Sequence, residues 1–208
     1  MHALPFLPVI LLAFGPAPQP PCPMTPESAE IRLTATDPPR NISSEGWTRR
    51  SAGAFDLLVN AEGPEGSGRY WTVSVCTADK GQKRPLRGTS LETSTVGWRT
   101  LLNFKDAPLP WIDDVDADGK AELILWNSFP LHEEASMAAF GLVAWVYRPV
   151  SADKLVIDWK LSRKMAREIA ESYRMPAKGA FSDLRARAAQ ALQAFADGQC
   201  KPSVQPAR

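Results

Sequence analysis

Residues 111–126 read Trp-Ile-Asp-Asp-Val-Asp-Ala-Asp-Gly-Lys-Ala-Glu-Leu-Ile-Leu-Trp. Three aspartates alternate with other residues ahead of a glycine, and a glutamate follows that glycine three residues later. Glycine permits a sharp turn, and the apolar run at 123–126 has the length of a buried strand. The stretch therefore predicts an acidic turn that leads into a β-strand of the core.

The acidic residues of this turn have the spacing of oxygen ligands for a divalent cation. The predicted ligands are Asp114, Asp116, Asp118, the backbone carbonyl of Lys120, and Glu122. Carboxylates held about 4 Å apart repel by roughly 4 kcal/mol at an intermediate dielectric, so the turn favours a bound cation. Hard oxygen ligands suit Ca²⁺, which the sequence predicts as the cofactor. The alternative is a solvated acidic turn that binds nothing, although turn preference alone needs only one Asp and the glycine.

Two features of the same stretch argue against an EF-hand. The last ligand of an EF-hand is a bidentate acid, but Leu125 stands there, and Ala121 takes the place of the usual aliphatic residue. An EF-hand also continues into an amphipathic helix, whereas residues 123–126 predict a strand. The loop is therefore predicted to join two strands.

The pattern Asp-x-Asp-x-Asp-Gly-x-x-Glu-Leu-Ile-Leu at 114–125 resembles the calcium motif of FG-GAP and VCBS repeats. These repeats form the blades of integrin-type β-propellers and occur in many secreted bacterial proteins. The resemblance implies that the five residues named above are the calcium ligands. In family members the last ligand of the motif is usually Asp, where this chain has Glu122. It implies a blade-like β unit that is held by calcium.

A second copy of the pattern stands earlier in the chain, at an offset that equals one blade in that family. Gly53–Val59 matches Gly119–Leu125, and a second strand-like run follows each copy, at 70–75 and at 142–147. The sequence therefore predicts two related units. In the first unit the ligand positions are expected to be filled by residues without a carboxylate, which are Arg49, Arg50, Ser51 and Ala52.

Length and composition limit what these units can build. The 208 residues, 44% of them hydrophobic, suffice for one core. A closed propeller needs at least about four blades, and this chain has room for about two. The predicted fold is mainly β, with two blade-like antiparallel units in a partial propeller or sandwich and two C-terminal α-helices, in one domain over 27–200. The net charge of +1 gives no electrostatic case for nucleic acid or an anionic membrane, and neither partner is expected.

The hydrophobic period becomes helical after residue 160. Apolar residues four apart predict an amphipathic helix over 161–175. A second helix is predicted over 182–197, with Ser182 as its N-cap and Gly198 after its end. Both helices are expected to cover an edge or a face of a sheet, and residues 201–208 to form a disordered tail.

The first 22 residues have the character of a secretory signal. The apolar run Met1–Phe14 is too short to span a bilayer, and a proline-rich segment follows it. We therefore expect a secreted or periplasmic protein without membrane insertion after removal of the signal. In an oxidising compartment Cys76 and Cys200 are candidates for a disulfide, and the alternative is a buried Cys76 thiol without a bridge.

The sequence offers few candidate catalytic residues, so the predicted function is calcium binding with a structural or recognition role and no enzymatic activity. His2 and His132 are the two histidines, and no Gly-x-Ser-x-Gly pattern occurs. Two alternatives stay open. One is a module that binds an extracellular protein or carbohydrate through exposed tryptophans, of which the chain has seven. The other is a calcium-dependent hydrolase that would need Asp113, His132, Glu133 and Glu134 to converge in a cleft.

Overall fold

The computed structural model describes residues 22–35, 46–63, 70–82, 84–94, 109–131, 140–175 and 181–204. Within them the chain forms nine strands and two helices. The strands are β1 (Glu30–Arg32), β2 (Thr48–Ser51), β3 (Phe55–Glu62), β4 (Tyr70–Asp79), β5 (Arg87–Ser94), β6 (Ile112–Asp113), β7 (Glu122–Pro130), β8 (Phe140–Ser151) and β9 (Lys154–Ile157). The helices are α1 (Trp159–Arg174) and α2 (Ser182–Ala196).

The strands form two antiparallel sheets. The first sheet has the order β2-β3-β4-β5, and the second has the order β1-β9-β8-β7-β6. Each sheet contains four consecutive strands in a meander, and β1 joins the second sheet by pairing with β9. The described strands thus lie in two separate sheets rather than in one closed barrel. The prediction of a mainly β fold with two antiparallel units and two C-terminal helices is confirmed.

The hydrophobic core is shared by both sheets and both helices, which contribute to one buried cluster. Strand β8 lies in the middle of the second sheet, and its residues 141–147 are buried without interruption. A continuous buried run is typical of a strand that is covered on both faces, whereas a strand with one solvated face alternates. The second sheet therefore forms the central layer, and the acidic loop joins two of its strands.

Helix α1 covers the part of β8 that β9 leaves unpaired. Strand β9 pairs with β8 only at residues 147–151. Further along β8, the Leu142 N–H donates to the Tyr173 hydroxyl at 2.9 Å, and the Val146 N–H donates to the Ser162 hydroxyl at 3.0 Å. Buried backbone N–H groups need such partners. The helix therefore satisfies the strand edge in addition to burying its apolar stripe.

The helices predicted over 161–175 and 182–197 span 159–174 and 182–196. Ser182 lies within α2, and the N-cap is Phe181, which makes no side-chain capping bond, so the prediction of a Ser182 cap is wrong. Of the predicted tail, residues 201–204 are described and contain no helix or strand. Among the described residues, neither helix is long and apolar enough to cross a bilayer.

A disulfide joins Cys22, ahead of β1, to Cys200, after α2, with the two Cα atoms 5.0 Å apart. Of the two possibilities that the sequence left open for Cys76, the bridge to Cys200 is therefore not formed, and the buried thiol without a bridge is found. Cys76 is a buried free thiol on β4, in a small apolar cluster with Leu58 of the first sheet. A signal peptide that ended at residue 22 would remove one half of the bridge, so the bridge requires any cleavage to precede Cys22.

Candidate metal centre

The acidic loop joins the two strands at the edge of the second sheet. Asp113 of β6 pairs with Glu122 of β7, and residues 114–121 form the loop between them. Two loop residues have positive φ, Ala117 at 59° and Gly119 at 83°. Glycine adopts this conformation freely, whereas alanine adopts it at a cost of about 1 kcal/mol or more. Contacts within the loop must therefore hold its shape.

Asp114 and Asp118 supply those contacts. The two carboxylate oxygens of Asp114 accept hydrogen bonds from the N–H groups of Asp118, at 3.0 Å, and Gly119, at 2.8 Å. Asp118 accepts a further bond from the Lys120 N–H at 2.8 Å. Aspartate side chains commonly close turns in this way. These bonds fix Asp114 with its carboxylate on the inside of the loop.

Three of the five predicted ligands come together. One oxygen each from Asp114, Asp116 and Glu122 lies within 4.8 Å of the others. Because calcium binds oxygen at about 2.3–2.6 Å, two ligands of one ion are at most about 5.2 Å apart. The three carboxylates are therefore close enough together to hold one metal ion.

Of the remaining two predicted ligands, Asp118 contacts the side chain of Lys120, whose own predicted ligand atom is the backbone carbonyl. The Lys120 ammonium is 3.6 Å from the Asp118 carboxylate, and both side chains are partly exposed. Asp118 thus stands outside the group of three and acts in the loop through its bond to the backbone of Lys120.

Glu122 is the buried member of the group and has no exposed surface. Its Oε2 accepts a bond from the Val115 N–H at 3.0 Å, while Oε1 has no hydrogen-bond partner among the described residues. The pKa of this carboxyl is raised to about 7, chiefly by burial, with the negative charges of Asp116 and Asp118 also raising it and the Val115 N–H and Arg148 lowering it. A buried carboxylate oxygen without a partner is costly, and a cation beside Oε1 would remove that cost.

Two cationic side chains from distant parts of the chain also reach the loop. The Arg148 guanidinium lies 2.5 Å from Asp116 and 3.6 Å from Glu122. The Lys164 ammonium of α1 donates to the Val115 carbonyl at 2.6 Å. Sequence reasoning missed both residues, because nothing in the loop sequence indicates which cations β8 and α1 bring to it.

The corresponding hairpin of the first sheet has a shorter turn. Ser51 pairs with Asp56 there, as Asp113 pairs with Glu122 in the second sheet. Only residues 52–55 connect the first pair, whereas residues 114–121 connect the second. The loop that carries the aspartates is thus an insertion without a counterpart in the first sheet.

This register corrects the expected alignment of the two units. Residues 49–51 were expected at ligand positions, but they form β2 and pair with β3. The Arg49 guanidinium contacts Asp56, with Nη2 and Oδ2 2.6 Å apart. Asp56 therefore has a cationic side chain from its own hairpin as its partner.

The tryptophans do not form a solvent-facing patch in the part of the chain that the structure describes. Six of the seven are described, and each is buried or half-buried. They are Trp47, Trp71, Trp111, Trp126, Trp145 and Trp159. The seventh, Trp98, lies outside the described residues. The geometry of the described six favours packing over recognition of a sugar.

The cluster required by the hydrolase alternative is described only in part. Asp113 is exposed at the end of β6, and its carboxylate accepts a bond from the Asp114 N–H at 2.9 Å. His132, Glu133 and Glu134 lie outside the described residues. The described geometry therefore gives this alternative no acid and base pair.

The chain matches no protein-family model, no curated protein and no solved structure. The resemblance to FG-GAP and VCBS repeats therefore stays a prediction from the loop sequence.

Proposed function

We propose that this protein binds calcium in the loop between β6 and β7 and has a structural or recognition role without catalysis. Asp114, Asp116 and Glu122 would be the principal ligands, and Asp118 and the Lys120 carbonyl remain the further predicted ones. The observation that carries the proposal is the buried Glu122, whose Oε1 has no hydrogen-bond partner among the described residues and whose carboxylate groups with those of Asp114 and Asp116. A set of carboxylate and carbonyl oxygens suits calcium better than the nitrogen- and sulfur-preferring transition metals.

The loop is placed where a bound ion would stabilise the junction of the two sheets. The Ala121 N–H, at the end of the loop, donates to the Ser51 carbonyl of β2 at 2.8 Å. On the other side of the hairpin, the Trp126 indole N–H donates to the Pro110 carbonyl at 2.7 Å. An ion that fixes residues 114–122 would therefore hold β6 against β7 and β2 against the loop. This is the structural role that we propose, in keeping with the implied kinship to FG-GAP-type blades.

A secreted or periplasmic location is part of the proposal. Extracellular calcium sites work with dissociation constants of about 10⁻⁴ to 10⁻³ M, and at ten-fold excess such a site adds about 1.4 kcal/mol to stability. The Cys22–Cys200 disulfide also suits an oxidising compartment. The apolar N-terminal segment would supply the export signal, with its cleavage ahead of Cys22.

Isothermal titration calorimetry with Ca²⁺ tests the proposal. We expect one site with a dissociation constant of about 10⁻⁴ to 10⁻³ M, weakened about ten-fold or more in Asp116→Asn. Asp79→Asn is the matched control, since it changes an exposed aspartate at the end of β4, outside the group of three. A wild-type protein that produces no binding heat, or an Asp116→Asn variant that binds like the wild type, would refute the proposed site.

A further inference from the structure

Arg148 lies among three carboxylates at the end of β8. Its Nη2 is 2.5 Å from Asp116 and 3.6 Å from Asp158, and its Nε is 3.6 Å from the Oε1 of Glu122. The Nε of Arg148 and the Oε1 of Glu122 are both buried, and neither has a hydrogen-bond partner among the described residues. At 3.6 Å they are too far apart to bond to each other. The guanidinium thus balances the charge of Glu122 without satisfying its free oxygen.

The same guanidinium has an alternative partner outside the loop. Asp158 is the N-cap of α1, and its Oδ1 accepts a bond from the Leu161 N–H at 3.0 Å. Its other oxygen, Oδ2, is the one that faces Arg148 at 3.6 Å. A small movement of Arg148 away from Asp116 would bring it into direct contact with Asp158.

We propose that Arg148 is a built-in competitor of the calcium ion, which holds the affinity of the loop low by pairing with two of its ligands. The inference rests on the proposed calcium site and names what sets its affinity. A divalent ion and a guanidinium within a few ångströms of each other repel strongly at the dielectric of a protein surface. Binding of the ion therefore requires Arg148 to leave Asp116 and Glu122, and Asp158 receives it.

This exchange links the occupancy of the loop to the start of α1. Without the ion, Arg148 offsets part of the repulsion among the carboxylates. With the ion bound, Arg148 would move closer to Asp158, the N-cap of α1. The site would then respond to calcium at the concentrations found outside cells and stay empty at the much lower cytosolic concentrations.

Neutral variants of Arg148 test the inference. We expect Arg148→Met and Arg148→Gln to bind Ca²⁺ about ten-fold or more tightly than the wild type, because the competing charge is gone. Arg148→Lys keeps the charge and should stay within about three-fold of the wild type. Arg32→Met is the matched control, since Arg32 pairs with Glu30 on β1, at the opposite edge of the same sheet.

The affinity is read by calorimetry and by circular dichroism over the same calcium titration, so a variant that folds only with calcium still reports its midpoint. If the wild type binds calcium and both neutral variants bind equally or more weakly, the inference is wrong and the site stands. If the wild type does not bind but the neutral variants do, the competition is real and the proposed function is wrong. Absence of binding in all of them refutes both.

Discussion

Arg49 and Asp56 form an ion pair in the first sheet, and Asp56 has the strand position there that Glu122 has in the second sheet. The Nη2 of Arg49 is 2.6 Å from the Asp56 carboxylate, and its Nε donates to the same oxygen at 2.8 Å. The side chain of Asp56 is only 11% exposed. The first hairpin thus neutralises its acid with its own arginine, whereas we propose that the second hairpin uses an ion.

This contrast predicts that replacing Asp56 and replacing Glu122 have different effects on the stability that calcium adds. Asp56→Asn removes the partner of a half-buried guanidinium and should lower the free energy of unfolding by about 1–3 kcal/mol. EDTA can remove a bound ion but not the Arg49 side chain. The loss of unfolding free energy should therefore be the same with calcium and with EDTA. Urea denaturation under both conditions measures it.

Glu122→Gln is the paired variant in this experiment. It should abolish the extra stability that calcium gives to the wild type, while Asp56→Asn should keep that increment. A calcium increment that vanishes in Asp56→Asn but persists in Glu122→Gln would show that the ion binds elsewhere.

Glu122 should also give the ion-free protein a distinctive pH dependence. Burial raises the pKa of its carboxyl from 4.5 to about 7, with the charges of Asp116 and Asp118 adding to the effect. Between these values the folded protein holds a proton that the unfolded chain has released. The free energy of unfolding in EDTA should therefore fall as the pH rises from about 4.5 to 7, by at most about 3 kcal/mol.

The measurement is urea denaturation in EDTA across this pH range for the wild type and for Glu122→Gln. Burial and the nearby Glu92 raise the pKa of Glu27 as well, so the difference between the two proteins isolates the part due to Glu122. Saturating calcium favours the ionised Glu122 and should remove this decline in the wild type. A decline that Glu122→Gln retains in full would contradict the assignment.

The disulfide should be a large contributor to stability, because Cys22 and Cys200 are 178 residues apart in the sequence. A bridge that closes a long loop removes much of the conformational entropy of the unfolded chain. Cys200→Ser should therefore lower the free energy of unfolding by about 2–5 kcal/mol, measured by urea denaturation without reductant.

Cys76→Ala is the control, since it leaves the bridge intact. Burial raises the pKa of the Cys76 thiol to about 12, so alkylation of the folded protein at neutral pH should leave it unlabelled. After unfolding without reductant, mass spectrometry should find the label on Cys76 alone. Label on Cys22 or Cys200 would contradict the bridge.

The sequence predicted those parts of the structure that depend on local pattern. Residues 123–126 formed the expected strand because a short apolar run after a turn has few alternatives. Helix α1 appeared because its apolar residues recur with a helical period. The acidic loop was recognisable for the same reason, since its side chains, spacing and glycine lie within one continuous stretch.

The parts that the sequence did not predict depend on tertiary contacts. Arg148 and Lys164 reach the loop from β8 and α1, and no local pattern distinguishes them from other surface cations. The choice of Cys22 over Cys76 as the partner of Cys200 depends on where α2 ends relative to the N-terminal segment. The sequence did not reveal the shorter turn of the first hairpin, because the match between Gly53–Val59 and Gly119–Leu125 suggested an alignment of the two units without an insertion.

The most direct test of the calcium site is a crystal structure of the mature protein grown in millimolar calcium, with an anomalous difference map. We predict one peak bound by Asp114, Asp116 and Glu122, with oxygen distances of about 2.3–2.6 Å. A well-ordered loop at the same calcium concentration without a peak between these three carboxylates would contradict the proposed function.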